Sequence, residues 1–490
     1  MGSALMIGDE TSVVDYGDVQ GLVRFAHNRL TAAYYLLLRI ADARSARAWL
    51  RSAAVTTAAT VSPLPDTALQ VAFTASGLRA LGIPETVLVQ FSDEFLSGMS
   101  GSQSRSRRLG DEGANAPQNW TWGTAEHEPH LLVAIFAEPQ ALDACVRSLQ
   151  TPQWNAAFVT IATLDTSNLG GVEQFGFTDG ISQPDIDWQQ QQNLRGDKPE
   201  YENSVAIGEF LLGYPNEYDC ETERPLLDPG GVNDLLAPAR EDPAKRDLGL
   251  NGTYLVLRDL RQDVRAFWSF AKSEELASMF VGRHRDGTPL VRTGGTNNDF
   301  TYARDPDAIR CPFGAHIRRT NPRNGDFPQV PFGPIATGLQ MLGFRKSAFH
   351  DDLTSSVRFH RILRRGREYG PGLTPADAQL PPPANDPPRG LRFVCLNANI
   401  GRQFEFLQNA WIASDFFNGL VGEADPLLGN REPGLAGEST DAFVLNRAHR
   451  ARRRVPALPQ FVTVTGGAYF FLPSLRGLRY FAQAGEEGSQ

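Results

Sequence analysis

The stretch FGFTDGISQP (175–184) leaves an apolar run and enters a turn in which a single acid, Asp179, lies between Gly176 and Gly180. A surface turn of ordinary composition is more polar, which makes Asp179 a candidate acid–base group. A second stretch, RCPFGAHIRRTNPRNGDF (310–327), sets His316 just ahead of Arg318, Arg319 and Arg323. Two readings fit it: a loop histidine beside a solvated basic run, or an axial ligand whose neighbouring cations meet the propionates of a haem. The third, VRFHRILRRGREYGPG (357–372), interleaves five arginines with Ile362 and Leu363. Such a run is commonly a solvated face, yet its alternation suggests a guanidinium turned inward toward an anion. In GRQFEFLQNAWIASDFFNGL (401–420), Phe404, Leu407, Trp411 and Asp415 share one helical face at about 100° per residue. If that face packs behind His316, Asp415 accepts the imidazole Nδ1 proton; otherwise it marks the end of the helix in water.

Other chemistries lack their residues. There is no GxGxxG opening a helix, no phosphate-binding loop and no GxSxG, and the compact pair His127 and His130 in HEPH is broken by Pro129. That segment reads as a loop before a strand rather than a metal site.

The elements that must hold these residues alternate strand and helix. In the first half, 33–40 is a strand followed by a helix at 41–50, and 68–82 gives a strand, a Thr/Ser cap and a helix closed by Gly82. The segment 130–149 repeats the plan; 253–271 and 391–411 do so in the second half, with a closing strand at 461–473. The expected fold is α+β: two units, each a sheet with helices on one face, divided near residue 205 into 1–205 and 206–490. Polar or proline-rich connections at 184–203, 215–231 and 371–390 link them.

The chain of 490 residues is 41% apolar and 21% charged, with no apolar run of membrane-spanning length. A net charge of −9 argues against nucleic acid as the main partner. Cys145, Cys220, Cys311 and Cys395 are widely spaced, as reduced thiols would be, and the N-terminus shows no secretion or twin-arginine pattern. A cytoplasmic location is the expectation, and the C-terminus AQAGEEGSQ lacks an apolar docking tail for encapsulation.

FGFTDGISQP, GAHIRRTNPR, RILRRGREYG, LRFVCLNANIGRQFEFLQNAW and TVTGGAYFF, in this order, resemble the dye-decolourising peroxidase family, in its larger, insertion-rich form. DVQGLV (18–23) and VAFTASGLRALGIP (71–84) extend the resemblance into the first half. It implies two ferredoxin-like domains with antiparallel sheets and peripheral helices, and a haem b (iron protoporphyrin IX) in the C-terminal one. It also implies a peroxidase that reduces hydrogen peroxide and oxidises dyes, phenolics or other small aromatic donors through a compound I intermediate. On this resemblance Asp179 is the distal acid, His316 the proximal iron ligand, and Arg364 the distal arginine, with Arg365 the alternative if the register slips by one. Gly366 departs from members that carry Asn or Ser there. Leu391 and Phe393 fit the apolar wall of the distal pocket, and Asp415 the acidic partner of the proximal histidine. Arg318 and Arg319 stand as cofactor contacts.

An aspartate base carries an expectation about pH, since its ordinary pKa of ~3.9 lies well below the ~6.5 of histidine: activity should persist into acid. Bulky dyes would be oxidised at aromatics coupled to the haem, for which Trp268 and Trp411 are candidates against a core role. A non-catalytic haem- or porphyrin-binding protein would use the same His316 and arginines but has no need of the Asp179–Arg364 pair. An acid–base hydrolase lacks a second carboxylate or a nucleophile in these motifs.

Overall fold

The computed structural model describes residues 5–6, 14–190, 203–291, 297–323, 357–434 and 437–484. The greater part of the 184–203 connection and the ends of the chain lie outside these residues.

Strands form where apolar and β-branched residues run together. In the first half these are β1 (Ala32–Ile40), β2 (Thr67–Phe73), β3 (Leu131–Ala137) and β4 (Phe158–Asp165). In the second half they are β5 (Thr253–Gln262), the short pair β6 (Leu363–Arg364) and β7 (Arg367–Tyr369), β8 (Gly390–Asn397) and β9 (Val462–Leu472). All pair antiparallel into one sheet ordered β6–β8–β5–β9–β2–β3–β1–β4, with β7 also on β8. Within the first half the order is fourth, first, third, second strand, and the second half repeats it when β6 and β7 count as one strand. This is the split βαβ order of a ferredoxin-like unit. Two sheets were expected; here the halves join edge to edge through a single residue pair, Phe471 and Phe73.

Helices cross between the strands: α1 (Ala43–Ser52), α2 (Ala75–Leu81), α3 (Pro139–Leu149), α4 (Val264–Ala271) and α5 (Glu274–Val281). Their ends carry the signals that sequence suggests. Thr74 caps α2 by accepting the N–H of Gly77, and Gly82 closes it in the left-handed region at φ +93°. Further along come α6 (His316–Thr320), a wide-turned helix α7 over 401–413, and α8 (Leu475–Gln483). HEPH ends where β3 begins, with His130 Nδ1 accepting the Ile40 N–H at 3.2 Å.

Both sheet faces are buried. Phe73, Val256 and Phe471 lie in the core on one side, and Leu37, Leu257 and Phe470 in the core on the other. Strand alternation decides which residues can meet a ligand. Arg258, Leu260 and Gln262 of β5, Leu391 and Phe393 of β8, and Val462 and Val464 of β9 share one face and line a cavity.

Candidate active site

That cavity, with about 240 Å³ open to water-sized molecules, lies between the sheet face and α6 and α7. Asp179, His316, Arg364, Leu391 and Phe393 all line it.

Asp179 reaches it from a loop built on reversed backbone. Gly176 and Gly180 sit at φ +88° and +79°, where a side chain would be strained. The loop is closed by Asp179 N–H to Gly171 O at 3.1 Å and by Thr178, whose N–H and hydroxyl both donate to Arg285 O. The carboxylate Oδ1 accepts the guanidinium of Arg364 at 2.7 Å and the N–H of Gly180 at 2.6 Å. Oδ2 is left for the cavity. Burial would raise the pKa of Asp179, but the charge and hydrogen bond of Arg364, the Gly180 N–H and the nearby His316 outweigh it. The group is held below the ordinary carboxylate value.

Arg364 is aimed by its strand. Arg365, next along, faces the other way and donates to Leu22 O and Val23 O, as alternation requires. Gly366 interrupts β6 and β7 because a Cβ there would lie 2.6 Å from Arg392 O. A side chain at this position has no room here. Gln183, four residues after Asp179, clamps the strand: its Nε2 donates to Arg364 O and its Oε1 accepts the Arg364 N–H, each at 3.1 Å. Acid and guanidinium are thus tied through the backbone as well as through their own ion pair.

On the opposite wall, His316 is the first residue of α6. Its Nδ1–H donates to Asp425 Oδ2 at 2.9 Å, leaving Nε2 as the second ring nitrogen. Asp425 is fully buried, and its Oδ1 accepts the N–H groups of Leu427 and Leu428. Burial raises the pKa of Asp425, but His316, by charge and hydrogen bond, and then Arg319 bring it below the ordinary value, so the carboxylate is the acceptor.

The expectation for Asp415 is therefore corrected. α7 winds with the wide i→i+5 turn and ends at Ala413, so the buried stripe of Phe404, Leu407 and Trp411 does not extend to residue 415. The chain folds back instead, Glu423 N–H to Asp415 O and Asp425 N–H to Ile412 O, which brings Asp425 under the imidazole.

Arg318 and Arg319 are corrected as well. Both are fully buried and neither lines the cavity. Arg318 donates to Cys311 O at 2.7 Å and to Asp305, and lies over Tyr302 and Phe313. Arg319 donates to Ser414 O at 2.6 Å and to Glu423 O. These bonds fasten α6 to the end of α7 and to the loop bearing Asp425. Arg323 likewise donates to Asn298 O and Phe300 O. The guanidinium groups at the cavity come from elsewhere: Arg283, Arg361 and Arg364, together with Arg258, which is paired with Asp111. Among the described residues Arg283 bonds to neutral oxygens, those of Gly287, Asn297 and Ser182. Burial, opposed by Tyr302 and reinforced by Arg323 and Arg364, pushes it down to about 10.

Trp268 and Trp411 are core residues rather than surface aromatics. Trp268 Nε1 donates to Phe175 O at 3.2 Å, and Trp411 packs against His360, Phe406 and Phe417. Sequence reasoning also passed over Glu173 and Gln183, six residues before and four after Asp179. Asp425 had a local signal, the Asp–Pro turn of EADPLLGN.

Comparison with known proteins places the chain beside peroxidases. No family model matches the chain. It is 29% identical over 452 residues to the multifunctional dye peroxidase DyP2 of an Amycolatopsis species, covering 84% of this chain and 81% of that protein. The crystal structure of a fungal DyP-type peroxidase from Auricularia auricula-judae superposes with a TM-score of 0.70 at 24% identity, over 96% of this chain and 100% of the other. A dye-decolorizing peroxidase solved in complex with 2,6-dimethoxyphenol gives a TM-score of 0.69 at 23% identity, over 96% and 100% of the two chains. Over most of its length this chain is similar to DyP-type peroxidases, a likeness that implies a haem.

Proposed function

We propose that the protein is a haem b peroxidase in which His316 holds the iron and Asp179 and Arg364 handle peroxide on the other side of the cavity. The observation that carries this is the placement of an imidazole with a buried carboxylate behind it and an Asp–Arg ion pair in one apolar cavity. The residues present fit the group: one nitrogen ligand, apolar walls from Leu391 and Phe393, and Arg283, a buried cation with no carboxylate among its hydrogen-bond partners in the described residues. Carboxylates of a porphyrin would answer that charge. When bound, haem supplies the electrons that cleave the O–O bond and recovers them singly from a donor.

The protein's own part is proton handling. Asp179 Oδ2, ionised and not engaged by Arg364, takes the proton from one oxygen of hydrogen peroxide and returns it to the other, the leaving oxygen. Arg364 stabilises negative charge on that oxygen as the bond lengthens, while keeping Asp179 ionised. Asp425 accepts the Nδ1 proton of His316, which fixes the ring and makes Nε2 a stronger donor. Gln183 keeps Arg364 in register with Asp179. Small phenols and dyes are the donors, as the 2,6-dimethoxyphenol complex of the homologue suggests.

An absorption spectrum of the purified protein before and after one equivalent of peroxide tests this, on wild type and His316→Ala. A Soret band in wild type that is lost in the variant, with a spectral change on peroxide addition, is the expected result. A Soret band indifferent to peroxide would favour haem storage or delivery instead.

A further inference from the structure

Glu173 also lines the cavity, and none of the chemistry above uses it. Its carboxylate is wrapped by donors. Oε2 accepts the Phe175 N–H at 2.9 Å and the Gln262 side-chain amide at 2.8 Å, and Oε1 accepts the Phe177 N–H at 3.0 Å. Its backbone closes the same loop: Glu173 N–H donates to Phe177 O, and Gly176 N–H to Glu173 O. Gln262 belongs to β5, so the loop that ends in Asp179 is pinned to the sheet through this one side chain. Among the described residues, every bond that the Glu173 side chain makes is one it accepts from an N–H. The geometry therefore suits an anchor, with no described partner placed to take up a proton from the carboxylate. Burial pushes the Glu173 pKa up to about 7 against the pull of the three donors, with the charge of Asp179 adding to the rise. The two carboxylates sense each other.

We propose that Glu173 is the positioning residue for Asp179: by gathering the Phe175 and Phe177 N–H groups and the Gln262 amide, it sets the loop that presents Asp179 to the cavity. The proposal rests on Asp179 being the proton-transfer group. Glu173 itself touches no reacting atom.

The test uses the haem-loaded protein as E173A, E173Q, D179N and the E173A/D179N double variant, with haem content and melting temperature recorded for each. Stopped-flow mixing gives the second-order rate with peroxide, and equilibrium titration with cyanide probes the same side of the cavity without turnover. E173A is expected to slow the peroxide reaction about tenfold or more, the scale of a displaced reacting group. E173Q, which keeps one acceptor oxygen, should fall between E173A and wild type. The double variant should match D179N alone within about twofold, because a residue acting through Asp179 has nothing further to lose once Asp179 is gone.

A D179N loss with E173A at wild-type rate overturns the role of Glu173 alone. So does a double variant whose loss is the product of the two singles, which would mark a separate structural effect. A wild-type rate for D179N sinks the assignment of Asp179, and that of Glu173 with it. If E173A does not fold, E173Q and Q262L each remove part of the same bond set. Both should then weaken cyanide binding about threefold or more, and unchanged affinity in both overturns the proposal.

Discussion

At the scale of single residues, the ion pair with Arg364 keeps Asp179 ionised, as the proposed base must be. Asp179→Asn should lower the peroxide rate by about 10²–10⁴-fold, the range for a general base removed, read by stopped-flow at neutral pH. The sign of the pH dependence follows from the depressed pKa. Asp179 stays ionised as pH falls through the ordinary carboxylate range, so the acidic limb of the wild-type pH–rate profile lies below ~3.9. Arg364→Leu removes the cation and leaves the burial, so the limb should climb by about 1–3 pH units as well as the rate falling. A limb near 6.5 in wild type would point to a histidine base. On the other wall, Asp425→Asn should weaken haem retention about 10–100-fold and raise the reduction potential, whereas Asp415→Asn should leave both alone. That Asp179, His316 and Arg364 face one cavity was legible because glycine flanks, order and spacing mark them locally. Asp425 was not, since its role depends on where α7 stops and how the chain folds back. The arginines after His316 misled because composition shows charge but not direction: they turn into the protein toward carbonyl oxygens.

At the scale of elements, the site depends on two interruptions in regular structure. Gly366 breaks β6 from β7, and the room for it is set by Arg392 O and Val394 N of the neighbouring strand. Gly366→Ala should cost about 1–3 kcal/mol in a denaturant melt, as overpacking does, and should slow the peroxide reaction because Arg364 lies two residues before it. Wild-type stability in this variant would show that the strand relaxes freely there. The other interruption is the wide turn of α7, which shortens the helix relative to the regular periodicity read from its apolar residues. The strands and most helices were recoverable because hydrophobic period, Thr and Ser caps and a closing glycine agree with one another, as at 67–82. The two short strands β6 and β7 were not, for an arginine-rich run carries no apolar period. Their pairing is given instead by β8, through Leu363 with Leu396 and Arg367 with Arg392.

At the scale of the whole molecule, one sheet runs through both halves, although its strands repeat the same order twice. The seam at Phe471 and Phe73 has only one residue pair, but aromatic rings close over it: Phe471 lies 5.0 Å from Phe91, and Phe73 5.6 Å from Phe481. Buried polar bonds cross it too. Gln20 Nε2 donates to both Val71 O and Pro473 O, Asn251 donates to Asp18, and Arg258 of β5 is paired with Asp111 at the cavity. The last helix, α8, belongs to the second half in sequence but packs on α1, with Arg51 donating to Ala482 O at 2.8 Å. Separating the halves near residue 205 would expose these apolar faces and break the buried ion pair between Asp111 and Arg258. Calorimetry of the intact protein should accordingly show one transition rather than two, and Phe471→Ala, removing about 3–5 kcal/mol of packing at the seam, should lower that single transition. If Phe471→Ala instead splits the melt into two peaks, with peroxide reactivity following only the upper one, then the halves are separately stable domains and the seam is a contact between them.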